Sequence, residues 1–220
     1  MRRLAFLGGS LVLLVLVLLV IPQLVLPGIA AHQLRDRLSQ SGTVLKVEVD
    51  AFPAIKLIWH HADKVVVRMG TYRSSATKLS NTLGEVGDAG TLDASANTLS
   101  AGLLTLRQAT LTKSGNQLSA SALITQADLR ASFPVLDGVQ PVASSGGQLT
   151  LQGTATVFGV TATADATVRP QNGALVVSPD VPFGGLATIT LFQSPSIAVD
   201  SVAAAPAPGG FRLTAEAHLR

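Results

Sequence analysis

Apolar and polar residues alternate with a period of two along most of this chain after Gly42. Within Thr43–Ala51, every second residue from Leu45 onward is apolar, and the residues between them are charged. The C-terminal segment Phe211–Leu219 alternates in the same way. Successive side chains of a strand point to opposite faces of a sheet, so this pattern predicts strands with one buried side and one solvent-facing side.

Nine further segments have the composition or alternation of strands. They are Lys64–Met69, Thr91–Ser100, Leu104–Thr112, Gln117–Ile124, Gln148–Val157, Val160–Arg169, Ala174–Ser178, Leu186–Leu191 and Ile197–Val202. The tetrapeptide Lys113–Asn116 predicts a hairpin turn, and a second turn is predicted near Phe158-Gly159. Two segments rich in proline, glycine and small residues, Asp137–Gly147 and Ala203–Gly210, are predicted as loops.

Three segments have the apolar spacing of helices. These are Ile29–Gln40, the short segment Ala54–His61, and Gln126–Ala131, for which Thr125 is a suitable cap. Ser74–Ala89 fits either a short helix or a loop, because it contains both spaced leucines and several glycines. The pattern as a whole predicts an α+β fold with an antiparallel sheet and two or three short helices.

The start of the chain is far more apolar than the rest. Leu4–Leu26 is 23 residues without a charge; as a helix it would be roughly 34 Å long, enough for a hydrocarbon core of ~30 Å. Arg2 and Arg3 precede it, and basic flanks tend to stay in the cytoplasm. We therefore predict a signal anchor within residues 1–31: a single-pass transmembrane helix in the cell membrane, N-terminus cytoplasmic and C-terminal domain extracytoplasmic. The alternative is a signal peptide cleaved near Gly28–Ala30, which would release a secreted protein.

Charge and cysteine content restrict the possible functions of the exported part. Beyond residue 31 the chain has 14 basic and 13 acidic residues, so it is close to neutral and we expect no nucleic-acid partner. It contains no cysteine, which excludes disulfides and a lipidated cysteine. We predict a linker helix over 32–42, followed by a single domain over 43–220.

The sequence carries no catalytic signature. It contains no Gly-x-Ser-x-Gly nucleophile turn, no Gly-x-Gly-x-x-Gly and no phosphate loop. His60-His61 with Asp63 comes nearest to a metal cluster, but adjacent residues do not readily converge on one ion. A solvent-facing pair beside Trp59 fits these histidines better. We therefore predict that the protein is not an enzyme and uses no cofactor or metal.

The segment Phe52–His61 concentrates apolar bulk and contains the only tryptophan, Trp59. Two interpretations remain open for it. It is either a helix packed on the open face of the sheet, or a segment that touches a membrane, since tryptophan favours lipid–water boundaries. The two interpretations merge if the packed helix lines a lipid cavity.

The stretch Val47–Val67 runs from a strand through Phe-Pro, an apolar helix and Asp to a valine-rich strand, and it resembles the opening of the LmeA-like phospholipid-binding family. Thr125–Leu129 resembles the helix after that family's central hairpin, and Pro182–Leu186 resembles its closing segment. The likeness spans Thr43–Arg220. It implies a fold similar to tubular lipid-binding proteins, in which a curved antiparallel sheet and a few short helices enclose an apolar groove.

The resemblance also implies a bacterial cell-envelope protein that binds phospholipid or another envelope lipid, with a role in envelope lipid or lipoglycan assembly. We predict these lipid-binding residues: Phe52, Ile55, Leu57, Ile58, Trp59, Val65 and Val67. The near-neutral charge predicts binding that depends mainly on chain burial and little on salt. The main alternative is a non-catalytic structural or interaction module with an unknown envelope protein partner, and an enzyme ranks third.

Overall fold

The structure, a computed structural model, describes residues 26–54, 57, 61–74, 89–101, 104–132, 137–157, 160–180 and 188–220. Within them, residues 26–39 form helix α1 and Gln126–Ser132 form helix α2. Most of the other described residues belong to strands: β1 Gly42–Asp50, β2 Lys64–Ser74, β3 Thr91–Ala101, β4 Leu104–Ser114, β5 Gln117–Thr125, β6 Gly138–Ser145, β7 Gln148–Val157, β8 Val160–Gln171, β9 Ala174–Pro179, β10 Ile189–Phe192, β11 Ile197–Ala207 and β12 Gly210–Leu219.

Seven strands form a curved sheet, sheet 1, in the order β1-β2-β3-β4-β5-β12-β11. All neighbours are antiparallel except β2 and β3, which run parallel with Val65 beside Leu92 and Val67 beside Ala94. The prediction of a wholly antiparallel sheet is therefore wrong at this pair. Parallel strands need a crossover connection, and residues 75–88 of that connection lie outside the described residues.

The other five strands form a separate antiparallel sheet, sheet 2, in the order β10-β9-β8-β7-β6. Its hairpin turns abut the free edge of β11. The Val199 amide donates to the Gly173 carbonyl at 2.9 Å, and the Val202 amide donates to the Gly147 carbonyl at 3.0 Å. Both glycines have positive φ angles. Their turns require this conformation, and residues that carry a side chain rarely adopt it. These contacts satisfy backbone groups that an edge strand otherwise leaves open.

Both segments predicted as loops contain edge strands. Asp137–Gly147 contains β6 at the edge of sheet 2, and Ala203–Gly210 contains the end of β11 at the edge of sheet 1. Each of these strands includes a proline, Pro141 or Pro206. Proline cannot donate a ladder hydrogen bond, but an edge strand tolerates this on its open side. The loop predictions were wrong because composition does not distinguish an edge strand from a loop.

Most of the remaining element predictions agree with the structure, but residues 40–42 of the predicted linker helix form a turn and the start of β1, and Thr188 of the predicted strand Leu186–Leu191 lies outside β10. The other predicted strands are present, several of them longer by a few residues, and the predicted helices Ile29–Gln40 and Gln126–Ala131 correspond to α1 and α2. Of the predicted helix Ala54–His61, Ala54 and Leu57 are in 3₁₀ conformation, and residues 55, 56 and 58–60 lie outside the described residues. The fold is mostly β with two described helices, consistent with the predicted α+β class.

The predicted transmembrane segment falls almost entirely on residues 1–25, which lie outside the described residues. Among the residues that the structure does describe, no helix is both long and apolar enough to cross a membrane.

A candidate lipid-binding face on sheet 1

The strand register of sheet 1 aligns side chains in rows that cross all seven strands. Residues paired between neighbouring strands lie on the same side of a sheet. One such row, which we call the alanine row, consists of Val47, Val67, Ala94, Leu111, Ala120, Ala215 and Val202. Every member is apolar, so this side of the sheet is apolar across its full width.

Two members of the alanine row are buried, and the other five, including Val47 on the edge strand β1, are half-buried. Val67 near one end and Val202 at the other are buried, with 8% and 4% of their surfaces exposed. Between Val67 and Val202, the residues Ala94, Leu111, Ala120 and Ala215 are half-buried, and Ala94 and Leu111 pack against the buried cluster of the first three strands. Ala120 and Ala215, paired between β5 and β12, have short side chains, so the row is lower there than at the neighbouring Leu111. The result is a shallow apolar strip.

A second apolar row bounds this strip towards the β1–β2 loop. Its members are Val49, Val65, Leu92, Lys113, Leu118, Ala217 and Val199. All of them except Ala217 are buried, including Lys113, which is 5% exposed. The Lys113 ammonium donates a hydrogen bond to the Ala89 carbonyl, just before β3. The lysine therefore gives a buried backbone carbonyl a partner while its methylene chain packs in an apolar row.

Helix α1 covers one side of the apolar face. Its half-buried residues Ala30, Ala31, Leu34 and Leu38 pack against a cluster of buried residues from the first three strands. The helix has apolar residues three and four positions apart, which places them on one stripe facing the sheet. Its polar residues between these positions, such as Arg35, are exposed.

Helix α2 covers the opposite corner, where β5 ends. Its buried Leu129 packs with Ile124, Phe211 and Val139, the last of which belongs to sheet 2. Thr125 caps the helix as predicted: its hydroxyl accepts a hydrogen bond from the Asp128 amide at 3.1 Å.

An ion pair ties α2 to sheet 1. Arg107 on β4 donates from Nε to Asp128 Oδ2 at 2.7 Å and from Nη2 to Oδ1 at 2.8 Å. The Asp128 side chain is only 11% exposed. The hydrogen bonds from Arg107, helped by the Thr125 hydroxyl, hold the pKa of this carboxyl below its usual range, although partial burial opposes the shift.

The sheet changes curvature where Arg107 is placed. The β4–β5 register shifts between Arg107 and Thr110, and Gln108 has a φ of 49°. The β2–β3 and β3–β4 pairings keep the same register on both sides of Gly70 and Asn97. A bulge such as the one between β4 and β5 bends a sheet and increases its twist. Arg107 is exposed beside this bulge.

The opposite side of sheet 1 is polar. The row one residue away from the alanine row contains Glu48, Val66, Asp93, Thr112, Ser119, Glu216 and Ser201. Arg68 and Asp93 form an ion pair on this side, with Nη1 to Oδ1 at 3.0 Å. The hydrogen bonds from Arg68 lower the pKa of Asp93. Within the described part of sheet 1, the apolar rows therefore lie on the alanine side.

The predicted lipid-binding residues fall in different environments. Val65 and Val67 are buried on the apolar face, and Leu57 is half-buried against the same cluster. Phe52 is 75% exposed, in a loop where its amide donates to Asp63 Oδ2 at 2.5 Å. Ile55, Ile58 and Trp59 lie outside the described residues.

The half-exposed strip was not among the predicted binding residues. Ala94, Ala120 and Ala215 each stand at an apolar position of an alternating strand. The alternation predicts on which side of the sheet these alanines lie. Their position between α1 on one side and α2 and sheet 2 on the other depends on the order of the strands. The described residues contain no group of three His, Cys, Asp or Glu side chains arranged to hold a metal ion.

The family model of the LmeA-like phospholipid-binding family matches residues 23–215. This chain belongs to that family. The match covers both helices and all strands except the last residues of β12, so the resemblance inferred from Thr43–Arg220 is confirmed. No curated protein and no solved structure matches the chain.

Proposed function

We propose that this family member binds a phospholipid, or another envelope lipid, by placing its acyl chains on the apolar strip between α1 on one side and α2 and sheet 2 on the other. The observation that carries the proposal is that the alanine row stays only half-buried across β5 and β12, between α1 on one side and α2 and sheet 2 on the other. An apolar surface that stays partly open between covered margins is typical of a ligand-binding groove. Each methylene that moves from water onto it contributes about 0.8 kcal/mol.

The proposed role is non-catalytic. The protein holds or presents a lipid outside the cytoplasm, tethered to the membrane by its N-terminal segment, during envelope lipid or lipoglycan assembly. The uncharged run Leu4–Leu26 behind Arg2 and Arg3 supports the tether and its orientation. A reporter enzyme that works only outside the cytoplasm, fused after Arg220, should be active. Activity from a strictly cytoplasmic reporter alone would reject this orientation.

Two adjacent residues of β12 provide a test of the binding surface. Ala215 lies in the alanine row and is half-buried, whereas Thr214 is exposed on the polar side. Ala215→Trp fills the strip and should reduce lipid binding at least tenfold. Thr214→Trp adds the same bulk to the other face and should leave binding unchanged. Lipid occupancy is measured by native mass spectrometry of the full chain in mild detergent, with circular dichroism as the check on folding.

Two results would contradict the proposal. If the folded wild-type protein carries no lipid and takes up none, the apolar strip has another use, and a structural or interaction module becomes the better explanation. If Ala215→Trp and Thr214→Trp lower binding equally, the lipid does not lie on the alanine side of sheet 1.

A further inference from the structure

A polar pocket of about 210 Å³ lies where α2 meets β6 and β7. Its walls include Arg130 and Gln126 of α2, Gln140 of β6 and Thr154 of β7. Unlike the apolar strip, this pocket is lined by hydrogen-bonding groups, and Arg130 supplies the only charge among its lining residues.

Gln126 and Arg130, one helical turn apart on α2, form hydrogen bonds to backbone groups beside the pocket. Gln126 Oε1 accepts the Val139 amide at 3.1 Å, and Gln126 Nε2 donates to the Val139 carbonyl. Arg130 Nε donates to the Asp137 carbonyl at 2.8 Å. The Gln126 side chain thus forms the two hydrogen bonds that a neighbouring strand would form with the open edge of β6. The bond from Nε to the Asp137 carbonyl fixes the orientation of the Arg130 guanidinium group.

The terminal nitrogens of Arg130 have no hydrogen-bond or ion-pair partner among the described residues. Two carboxylates near the pocket bond to uncharged side chains and not to Arg130. Asp137 Oδ2 accepts from the Thr156 hydroxyl at 2.7 Å, and Asp165 Oδ1 accepts from Gln152 Nε2 at 3.1 Å. Arg130 therefore presents two NH₂ groups in the planar arrangement that suits two oxygens of a phosphate.

The pocket adjoins the apolar region of sheet 1. Val139 lines the pocket, and the same residue, 9% exposed, packs with Leu129 and Phe211 in the cluster under α2. This cluster lies between the pocket and the alanine row, so a lipid whose phosphate occupies the pocket has to extend its chains past Val139 and the end of α2 to reach Ala215.

We propose that this pocket binds a phosphate group through Arg130, and that the phosphate belongs to the lipid whose chains lie on sheet 1. The second part rests on the proposed function. One arginine adds a modest charge contribution to binding that depends mainly on chain burial, so the affinity for a phospholipid should fall only a few-fold at high salt.

The test compares three probes with the full-length protein in mild detergent. Phosphatidylglycerol has chains and a phosphate, diacylglycerol of the same chain length has no phosphate, and glycerol 3-phosphate has no chains. The wild type should bind phosphatidylglycerol roughly tenfold more tightly than diacylglycerol, the size expected of a charge-assisted hydrogen-bond pair. Arg130→Gln should remove this preference and leave the diacylglycerol affinity unchanged. Arg130→Lys should restore part of it, because the charge remains but the two-pronged geometry is lost.

Arg212→Gln is the matched control. Arg212 is also an exposed arginine, and its contact with Gln108 Oε1 is long, at 3.4 Å, on the polar side of sheet 1. This variant should retain the full preference for phosphatidylglycerol. An equal loss in Arg212→Gln would show that net charge, not the pocket, sets the preference, and would overturn the inference.

The outcomes separate this inference from the proposed function. If diacylglycerol binds but Arg130→Gln keeps the wild-type preference, the phosphate site is wrong and the apolar surface stands. If diacylglycerol does not bind, the chain-binding proposal fails. If glycerol 3-phosphate alone binds as tightly as the lipid, and Arg130→Gln abolishes this, the pocket is a phosphate site whose ligand is soluble.

Discussion

The two sides of sheet 1 are built by the same strands from residues one position apart, yet they are stabilised in different ways. The polar side is held by local pairs such as Arg68–Asp93, in which both side chains remain more than a third exposed. The alanine side depends on distant elements, α1, α2 and sheet 2, which cover its margins. A surface whose covers come from elsewhere in the chain can be left open in its middle, and this is where we place the ligand.

The two sides should differ most in how far a substitution lowers the free energy of unfolding. Phe211 is 1% exposed under α2, and the next residue, Arg212, is exposed on the polar side. Phe211→Ala should lower the free energy of unfolding by about 3–5 kcal/mol, because it leaves a cavity in a closely packed cluster. Arg212→Ala should change it by less than about 0.5 kcal/mol. Urea unfolding of the full chain in detergent measures both, and similar losses for the two variants would refute the assigned faces.

A smaller difference should appear in acid. Asp128 and Asp93 both have a lowered pKa in the folded protein, so the unfolded chain binds more protons as the pH falls. Their stabilisation is present above the unfolded pKa of about 4 and is lost as the pH drops through the lower folded values. Asp128→Asn should reduce the loss of unfolding free energy at low pH more than Asp93→Asn does. The reason is that Asp93 is 47% exposed and solvent screens its ion pair.

Unfolding free energies between pH 3 and pH 7, at low and high salt, check this expectation. High salt should reduce the contribution of the Arg68–Asp93 pair more than that of the Arg107–Asp128 pair. A larger effect from Asp93→Asn would mean that the polar side, and not the attachment of α2, determines the acid stability of the protein.

Much of the fold could be predicted because alternation is a local property. The strand at Thr43–Ala51, the last strand and the helix capped by Thr125 all follow from neighbouring residues in the sequence. The family could also be predicted, because the order of strand, Phe-Pro and valine-rich strand is preserved in Val47–Val67. The position of each apolar row relative to its covers could not be predicted, since it depends on pairings between distant strands.

The binding residues show the same limit. Sequence reasoning favoured bulky apolar residues near Trp59, because bulk suggests contact, but of that set Val65 and Val67 are buried in the described core. The half-buried positions on β5 and β12 are alanines, which carry no signal of binding in a sequence. Nothing in the sequence distinguishes Arg130 from the other arginines, and its pocket forms only because Gln126 pairs with β6.

The sequence by itself determined which side of each strand is apolar, where α2 begins, and that the fold holds together without disulfides. Those features depend on side-chain period, capping and composition. Only the tertiary structure decided that β2 and β3 run parallel, that Pro141 and Pro206 belong to edge strands, and that the chain forms two sheets. These outcomes depend on which distant backbone groups find partners, and a one-dimensional pattern does not contain that information.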